Sequence, residues 1–349
     1  MDKAVYRIID ANFNRGREAL RVMEDVCRFY LNSSPLSTRT KQLRHQLSAT
    51  ISTLDSYLLL TCRNTLDDVG TSIAVEDQMS RKDLPDCLTA AAKRASEALR
   101  TLSEVIQTFS PATAANIEKI RYSCYTLEKD IVLAVAVRPR MAQVHLYVVL
   151  TSSVPADIIS LAQKCCLGGA DCIQLRAKDL PDDQLLAIAT EFAGTCRSHG
   201  VLSIINDRVD IGICAGADGV HLGQNDVPVS VARRLQVSPL IVGRSTHNVE
   251  QLQAAIEEGA DYVGIGPIFP TETKPGVKPA GLEYLRQAAP IAADAGILGV
   301  AIGGITLVNL PQVVAAGAAA IAVCGAIIDS PDPEAACKGF AAQFLRENP

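Results

Sequence analysis

From about residue 143 onward the chain repeats one pattern: a short apolar run, a polar break, then an amphipathic segment. The runs are His145–Leu150, Cys172–Leu175, Leu202–Ile205, Gly219–Leu222, Leu240–Val242, Tyr262–Ile265, Gly299–Ile302 and Ala320–Val323. Between them, apolar residues recur at helical spacing, as in Ala156–Leu167, Asp182–Arg197, Pro228–Leu235, Val249–Glu258 and Leu307–Ala316. Runs this short and this apolar suit strands buried on both faces, and strands joined through helices lie parallel. Eight such β/α units predict a closed (β/α)8 barrel. An open doubly wound sheet is the alternative, but it commonly uses fewer strands, and no G-x-G-x-x-G follows the first run. The composition agrees: 48% hydrophobic but only 4% aromatic, with no Trp, is a core of Ala, Val, Ile and Leu suited to helices on a parallel sheet.

Chemistry in such a barrel sits at the C-terminal ends of the strands, so the residues leaving each run are the candidates. The second run continues as Gln174-Leu-Arg176-Ala-Lys178. Alternation points Gln174 and Arg176 the same way, and Lys178 carries that face into the loop. Asn206-Asp207 follows the third run, His221-Leu-Gly-Gln-Asn-Asp226 the fourth and Arg244-Ser-Thr-His247, with Ser245, the fifth. The sixth leads into Gly264-Ile-Gly-Pro-Ile-Phe-Pro-Thr-Glu-Thr-Lys-Pro-Gly276, where glycines and prolines forbid a helix or a central strand. That stiff loop offers Thr271, Thr273, Lys274 and backbone N–H groups to an anion. Gly303-Gly304 and Cys324-Gly325 follow the last two runs, where this fold usually cradles phosphate. Singly these are ordinary: a surface lysine, a capping aspartate, a structural imidazole, a tight turn. Together they describe a polyanion site with a divalent metal, Asp207 and Asp226 for Mg²⁺, Arg176 and Lys274 for phosphate oxygens.

Residues 1–137 read as an all-α domain. The segment Ala11–Phe29 places Leu20, Met23 and Cys27 on one stripe, with Asp10 or Asn12 as its N-cap. Further helices are expected over Ser37–Leu60, Leu84–Phe109 and Ala112–Val137, with a break at Asn64–Gly70. Pro139 is expected to end the last helix, so 138–142 reads as a linker and 143–349 as the barrel domain. An internal echo links Arg15-Gly-Arg-Glu-Ala-Leu-Arg-Val-Met-Glu-Asp-Val26 to Arg94-Ala-Ser-Glu-Ala-Leu-Arg-Thr-Leu-Ser-Glu-Val105, which suggests two similar helical hairpins facing each other. The arginines and carboxylates of the first helix fit either a solvated face laced with i,i+4 pairs or a phosphate-binding face. No G-x-x-x-x-G-K-[ST] is present, which excludes a P-loop kinase.

Charge and cysteine usage narrow the setting. Residues 1–140 carry 20 Lys/Arg against 17 Asp/Glu, and residues 141–349 carry 13 against 21. Neither part has a basic run, which argues against nucleic acid as a partner. Eleven scattered cysteines with no C-x-x-C pair fit a reduced, cytoplasmic protein. No secretory leader pattern opens the chain, and Ile131–Val137 is far too short to span a bilayer. Neither a membrane nor a zinc site is expected, and a homo-oligomer is left open.

The barrel motifs Gln-Leu-Arg-Ala-Lys (174–178), Asn-Asp (206–207), His-Leu-Gly-Gln-Asn-Asp (221–226), Gly-Arg-Ser-Thr-His (243–247), Gly-Pro-Ile-Phe-Pro-Thr-Glu-Thr-Lys (266–274) and Gly-Gly-Ile (303–305) resemble the thiamine phosphate synthase family, in its order and over nearly all of 143–330. The resemblance implies condensation of hydroxymethylpyrimidine diphosphate with thiazole phosphate. Arg176, Lys178 and Asn206 would hold diphosphate, Asp207 and Asp226 would bind Mg²⁺, and Ser245 and Lys274 would complete that site. Gln174 would lie by the pyrimidine ring, and Thr271, Thr273 and Gly304 would face the thiazole phosphate. Gly325 departs from the family's common serine. Asp10–Asp25 resembles the opening of a helical domain associated with phosphorylation of hydroxymethylpyrimidine phosphate, which implies ATP as a further substrate. The rivals are a thiazole tautomerase-like isomerase, which needs no diphosphate site, and a non-catalytic phosphate-ligand sensor with a helical docking module.

Overall fold

The computed structural model describes residues 2–72, 80–152, 154–235, 238–271 and 278–348. The chain forms two compact units, Met1–Val135 and Ala136–Pro349. In the first lie α1 (Lys3–Asp25), running into a π-helical turn at Val26–Tyr30, then α2 (Ser34–Ile51), α3 (Ser56–Thr61), α4 (Leu84–Gln107) and most of α5 (Pro111–Met141). Leu20, Met23 and Cys27 are fully buried in its core. The two echoing segments lie on α1 and α4, which pack against each other through small residues: a Cβ added to Gly16 would sit 3.7 Å from that of Ala98.

Local expectations fail where tertiary contacts intervene. The N-cap of α1 is Asp2, whose side chain accepts from the Ala4 N–H; Asp10 and Asn12 lie inside the helix. Asp10 is instead held by the Arg63 fork at 2.7 and 2.6 Å, a pairing that sequence spacing does not disclose. The expected helix over 37–60 divides in two because Asp55 caps α3, accepting from the Tyr57 and Leu58 N–H groups. Nor does Pro139 end α5, which continues to Met141. Val137 and Met141 are buried among inward residues of the barrel, Arg138 donates to the Ala295 carbonyl at 3.0 Å, and Arg140 pairs with Asp218. Those contacts outweigh the bond that proline removes.

The second unit alternates β1 (Leu146–Thr151), α6 (Pro155–Leu167), β2 (Cys172–Arg176), α7 (Asp182–Ser198), β3 (Leu202–Asn206), α8 (Val209–Cys214), β4 (Gly219–Leu222), α9 (Val229–Leu235), β5 (Ile241–Thr246), α10 (Val249–Glu257), β6 (Tyr262–Ile265), α11 (Gly281–Asp294), β7 (Leu298–Ile302), α12 (Leu310–Ala315) and β8 (Ala320–Val323), then α13 (Gly325–Ile328) and α14 (Pro333–Glu347). The eight strands pair in parallel and in chain order, β8 closing on β1. This is the (β/α)8 barrel. Alternation splits its apolar residues in two: Val148, Ile173 and Val263 pack under the helices, whereas Tyr147, Ile204, Tyr262 and Val300 fill the interior.

One short motif recurs at three strand starts: Gly-Ala-Asp at 169–171, 216–218 and 259–261. Each Gly takes a positive φ (86°, 64° and 87°) that ends the preceding helix. Each Asp then accepts from the first backbone N–H groups of the preceding strand: Asp171 from His145 and Leu146, Asp218 from Ser203, Asp261 from Val242, at 2.8–2.9 Å. At β8 the motif reads Gly317-Ala-Ala319, without the carboxylate.

Candidate active site

Gln174, Arg176, Lys178, Asn206, Asp207, Asp226, Ser245, Thr271 and Gly304 all line one cavity of about 620 Å³ at the C-terminal ends of the strands, a size that suits small-molecule ligands. Thr273 and Lys274 lie outside the described residues. The remaining rim candidates are therefore brought together, and the register explains how. Arg176 and Asn206 end β2 and β3 on inward positions, and β5 extends to Thr246, carrying Ser245 two residues beyond Gly243 on the same face.

Asp207 sits just past β3 with φ 63°, in the left-handed region, its N–H donating to the His221 carbonyl at 2.8 Å. Its Oδ2 lies 2.6 Å from Lys178 Nζ. Asp226 turns back so that its carboxylate accepts from the Gly223 N–H at 2.6 Å. The two carboxyl groups are within hydrogen-bonding reach of each other, and their acidities diverge. Burial raises Asp207, but the Lys178 ammonium and the hydrogen bond with Asp226 outweigh it and hold its carboxyl below the usual range. Burial, then the hydrogen bond with Asp207, pushes Asp226 up. Two facing carboxylates, one with a raised pKa, form a pocket of negative charge that asks for a cation. Among the described residues no group of three or more His, Cys, Asp and Glu side chains is arranged around one metal position. Mg²⁺, however, is commonly held by one or two carboxylates together with substrate phosphates, so this donor set fits it.

Close by, the Arg176 Nε is buried with no hydrogen-bond partner among the described residues. Gly303 and Gly304 have φ 105° and 64°, and a Cβ on Gly304 would lie 2.5 Å from the Pro270 carbonyl. Only glycine lets the β7 loop meet the β6 loop there. At Gly325 an added Cβ would lie 2.8 Å from Asp329 Oδ2, so here a carboxylate end stands where a longer side chain would project.

The floor of the cavity holds residues that the rim motifs miss. Tyr147 and Tyr262, read from sequence as members of apolar runs, meet through their hydroxyls at 2.9 Å. Gln174 Nε2 donates to the Tyr147 hydroxyl at 2.8 Å, His221 Nδ1 lies 3.0 Å from the Tyr262 hydroxyl, and His221 Nε2 lies 2.8 Å from Ser245 Oγ. The only signal available was inward alternation with Val149 and Gly264. Gly243 makes room for the ring: a Cβ there would fall 2.1 Å from Tyr262 Cζ.

Comparison with known proteins decides among the readings. The thiamine monophosphate synthase family profile matches residues 146–327. A thiamine-phosphate synthase from Synechocystis sp. is 39% identical over 346 residues, covering 99% of this chain and 98% of its own. The chain belongs to the thiamine monophosphate synthase family. It is a transferase. A second family member, the thiamine-phosphate synthase from Prochlorococcus marinus, is 41% identical over 96% of this chain and 94% of its own. Among solved structures, a thiamine phosphate pyrophosphorylase from Pyrococcus furiosus shares 32% identity at a TM-score of 0.54, covering 60% of this chain and 98% of its own. Ahead of the synthase barrel, residues 7–130 match the ThiD2 family. No helix among the described residues is long and apolar enough to cross a membrane, and among the described residues none of the eleven cysteines forms a disulfide.

Proposed function

We propose that the barrel joins hydroxymethylpyrimidine diphosphate to thiazole phosphate, giving thiamine phosphate and inorganic diphosphate. The observation that carries this reading is the facing pair Asp207 and Asp226 beside Lys178 and an Arg176 Nε unpartnered among the described residues, in one cavity. Asp207 and Asp226 would hold Mg²⁺, which when bound neutralises charge growing on the leaving diphosphate. Arg176, Lys178 and Asn206 bind the diphosphate oxygens and orient the bond to be broken. Gln174 meets the pyrimidine ring, and Ser245 and Lys274 complete the diphosphate site. Thr271, Thr273 and Gly304 receive the thiazole phosphate.

The bond between the pyrimidine methylene and diphosphate oxygen breaks, its electron pair leaving with diphosphate. The thiazole ring nitrogen supplies the pair for the new C–N bond. The electron-rich aminopyrimidine stabilises the cationic methylene, so no side-chain nucleophile or general base is needed. A tautomerase would have no use for this diphosphate end, and release of inorganic diphosphate from both substrates would dispose of a sensor. Asp207→Ala is expected to abolish diphosphate release at physiological Mg²⁺, at least about 10³-fold, with the fold intact by circular dichroism. Near-normal turnover would refute the metal assignment.

For the first unit we infer ATP-dependent phosphorylation of hydroxymethylpyrimidine phosphate, supported by the ThiD2 match. The two reactions would then run in sequence, in a reducing cytoplasm that keeps the cysteines as thiols. Supplying the intact protein with the pyrimidine monophosphate, ATP, Mg²⁺ and thiazole phosphate tests both: thiamine phosphate is expected, and none without ATP.

A further inference from the structure

The hydrogen bonds under the cavity run unbroken across the barrel floor, from Gln174 on β2 through Tyr147 on β1, Tyr262 on β6 and His221 on β4 to Ser245 on β5. Counting protons gives this path a direction. Gln174 presents Nε2 to Tyr147, and an amide NH₂ can only donate. Tyr147 has one proton and one acceptor for it, the Tyr262 oxygen. Tyr262 must pass its own proton to His221 Nδ1. His221 is thereby the neutral Nε2–H tautomer and donates to Ser245 Oγ. The Ser245 proton is left to point into the cavity. Any other arrangement with this amide strands a phenol proton, because both tyrosines are buried and their hydroxyls have no further hydrogen-bond partner among the described residues. Burial also holds both phenols well above their usual acidity range, so they stay protonated and keep the relay intact.

Turning the Gln174 amide over would reverse every link, leaving Ser245 donating to His221 and only its lone pairs facing the cavity. We propose that Tyr147, Tyr262 and His221 are positioning residues that lock the Gln174 amide to the Ser245 hydroxyl, so that a ligand is accepted best when it carries an N–H donor at Gln174 and an anion at Ser245. This deepens the synthase reading and rests on it. An oxo group in place of the amine forces the amide over and withdraws the Ser245 proton from the anion, so discrimination at one end is felt at the other.

The test uses the full-length protein without thiazole phosphate, so that only binding is read. Calorimetry compares the amino and oxo forms of the pyrimidine diphosphate, and ¹⁵N NMR reads the His221 tautomer. The wild type is expected to show a single Nε2–H tautomer and a preference for the amino form. Tyr262→Phe, which cuts the path, should mix the tautomers and shrink the amino/oxo ratio of Kd values about tenfold. Tyr147→Phe should shrink the ratio similarly while His221 stays Nε2–H, because Tyr262 still donates to it. An Nδ1–H tautomer in the wild type, or an unchanged ratio in a folded Tyr262→Phe or Tyr147→Phe variant, overturns the proposal. The NMR result stands apart from turnover: failure of the wild type to form thiamine phosphate would sink the synthase reading and leave the tautomer result to be judged by itself.

Discussion

Arg176 ends β2 with its Nε buried and unpaired among the described residues. A buried donor without an acceptor costs about 1–3 kcal/mol, so the position is retained only if an anion supplies what the protein does not. A guanidinium offers a planar fork that suits phosphate oxygens, and an ammonium does not. Arg176→Lys is therefore expected to raise KM for the pyrimidine diphosphate about tenfold or more, with little change in Tm. An unchanged KM in steady-state assays would place the diphosphate elsewhere. The arginine was legible from sequence because it closes an apolar run with Gln174 two residues before it. Its unpaired nitrogen was not, since that depends on which neighbours fail to reach it. Tyr147 and Tyr262 were illegible for a different reason: within an apolar run a phenol counts as bulk, and only the inward turn of the strand exposes its hydroxyl to a partner across the barrel.

Among elements, the strand starts are the most revealing. Asp218 lies just before β4 and clamps the start of β3, accepting from the Ser203 N–H and hydroxyl, both at 2.9 Å, and pairing with Arg140. Burial raises its carboxyl, but these partners outweigh burial and hold it below the ordinary value of 3.8. Because the folded-state pKa is depressed, the clamp stabilises the fold above the unfolded value and is lost as pH falls through the folded one. Asp218→Asn is expected to cost about 1–3 kcal/mol at neutral pH, with the gap to wild type narrowing below pH 3.8. Urea unfolding from neutral to acid pH measures this, and a gap constant across the range would refute the clamp. The apolar strands themselves were legible because both faces are largely buried and few polar residues interrupt them. The end of α5 was not. Pro139 argues locally for a stop, and only Arg138, Arg140 and Met141 finding partners in the second unit carries the helix through. Likewise the N-cap expected at Asp10 or Asn12 yielded to Asp2 once Arg63, 53 residues away in sequence, engaged Asp10.

At the scale of the whole molecule, two compact units each own a core, one of helices and one of a barrel with its helices, and two family profiles fall one on each. Asp207 belongs wholly to the second: its carboxylate touches Lys178 and Asp226, and its N–H the His221 carbonyl. Removing that carboxylate disables the site that would consume the pyrimidine diphosphate without touching a residue of the unit that would make it. Intact Asp207→Ala protein given ATP, Mg²⁺, the pyrimidine monophosphate and thiazole phosphate is therefore expected to keep transferring phosphoryl groups from ATP, forming ADP at the wild-type initial rate. The pyrimidine diphosphate should accumulate one for one with ADP, and thiamine phosphate should be absent; chromatography of the quenched mixture reads all three. Loss of ADP formation together with thiamine phosphate would mean that the first reaction depends on the barrel site, and the assignment of one reaction to each unit would fall.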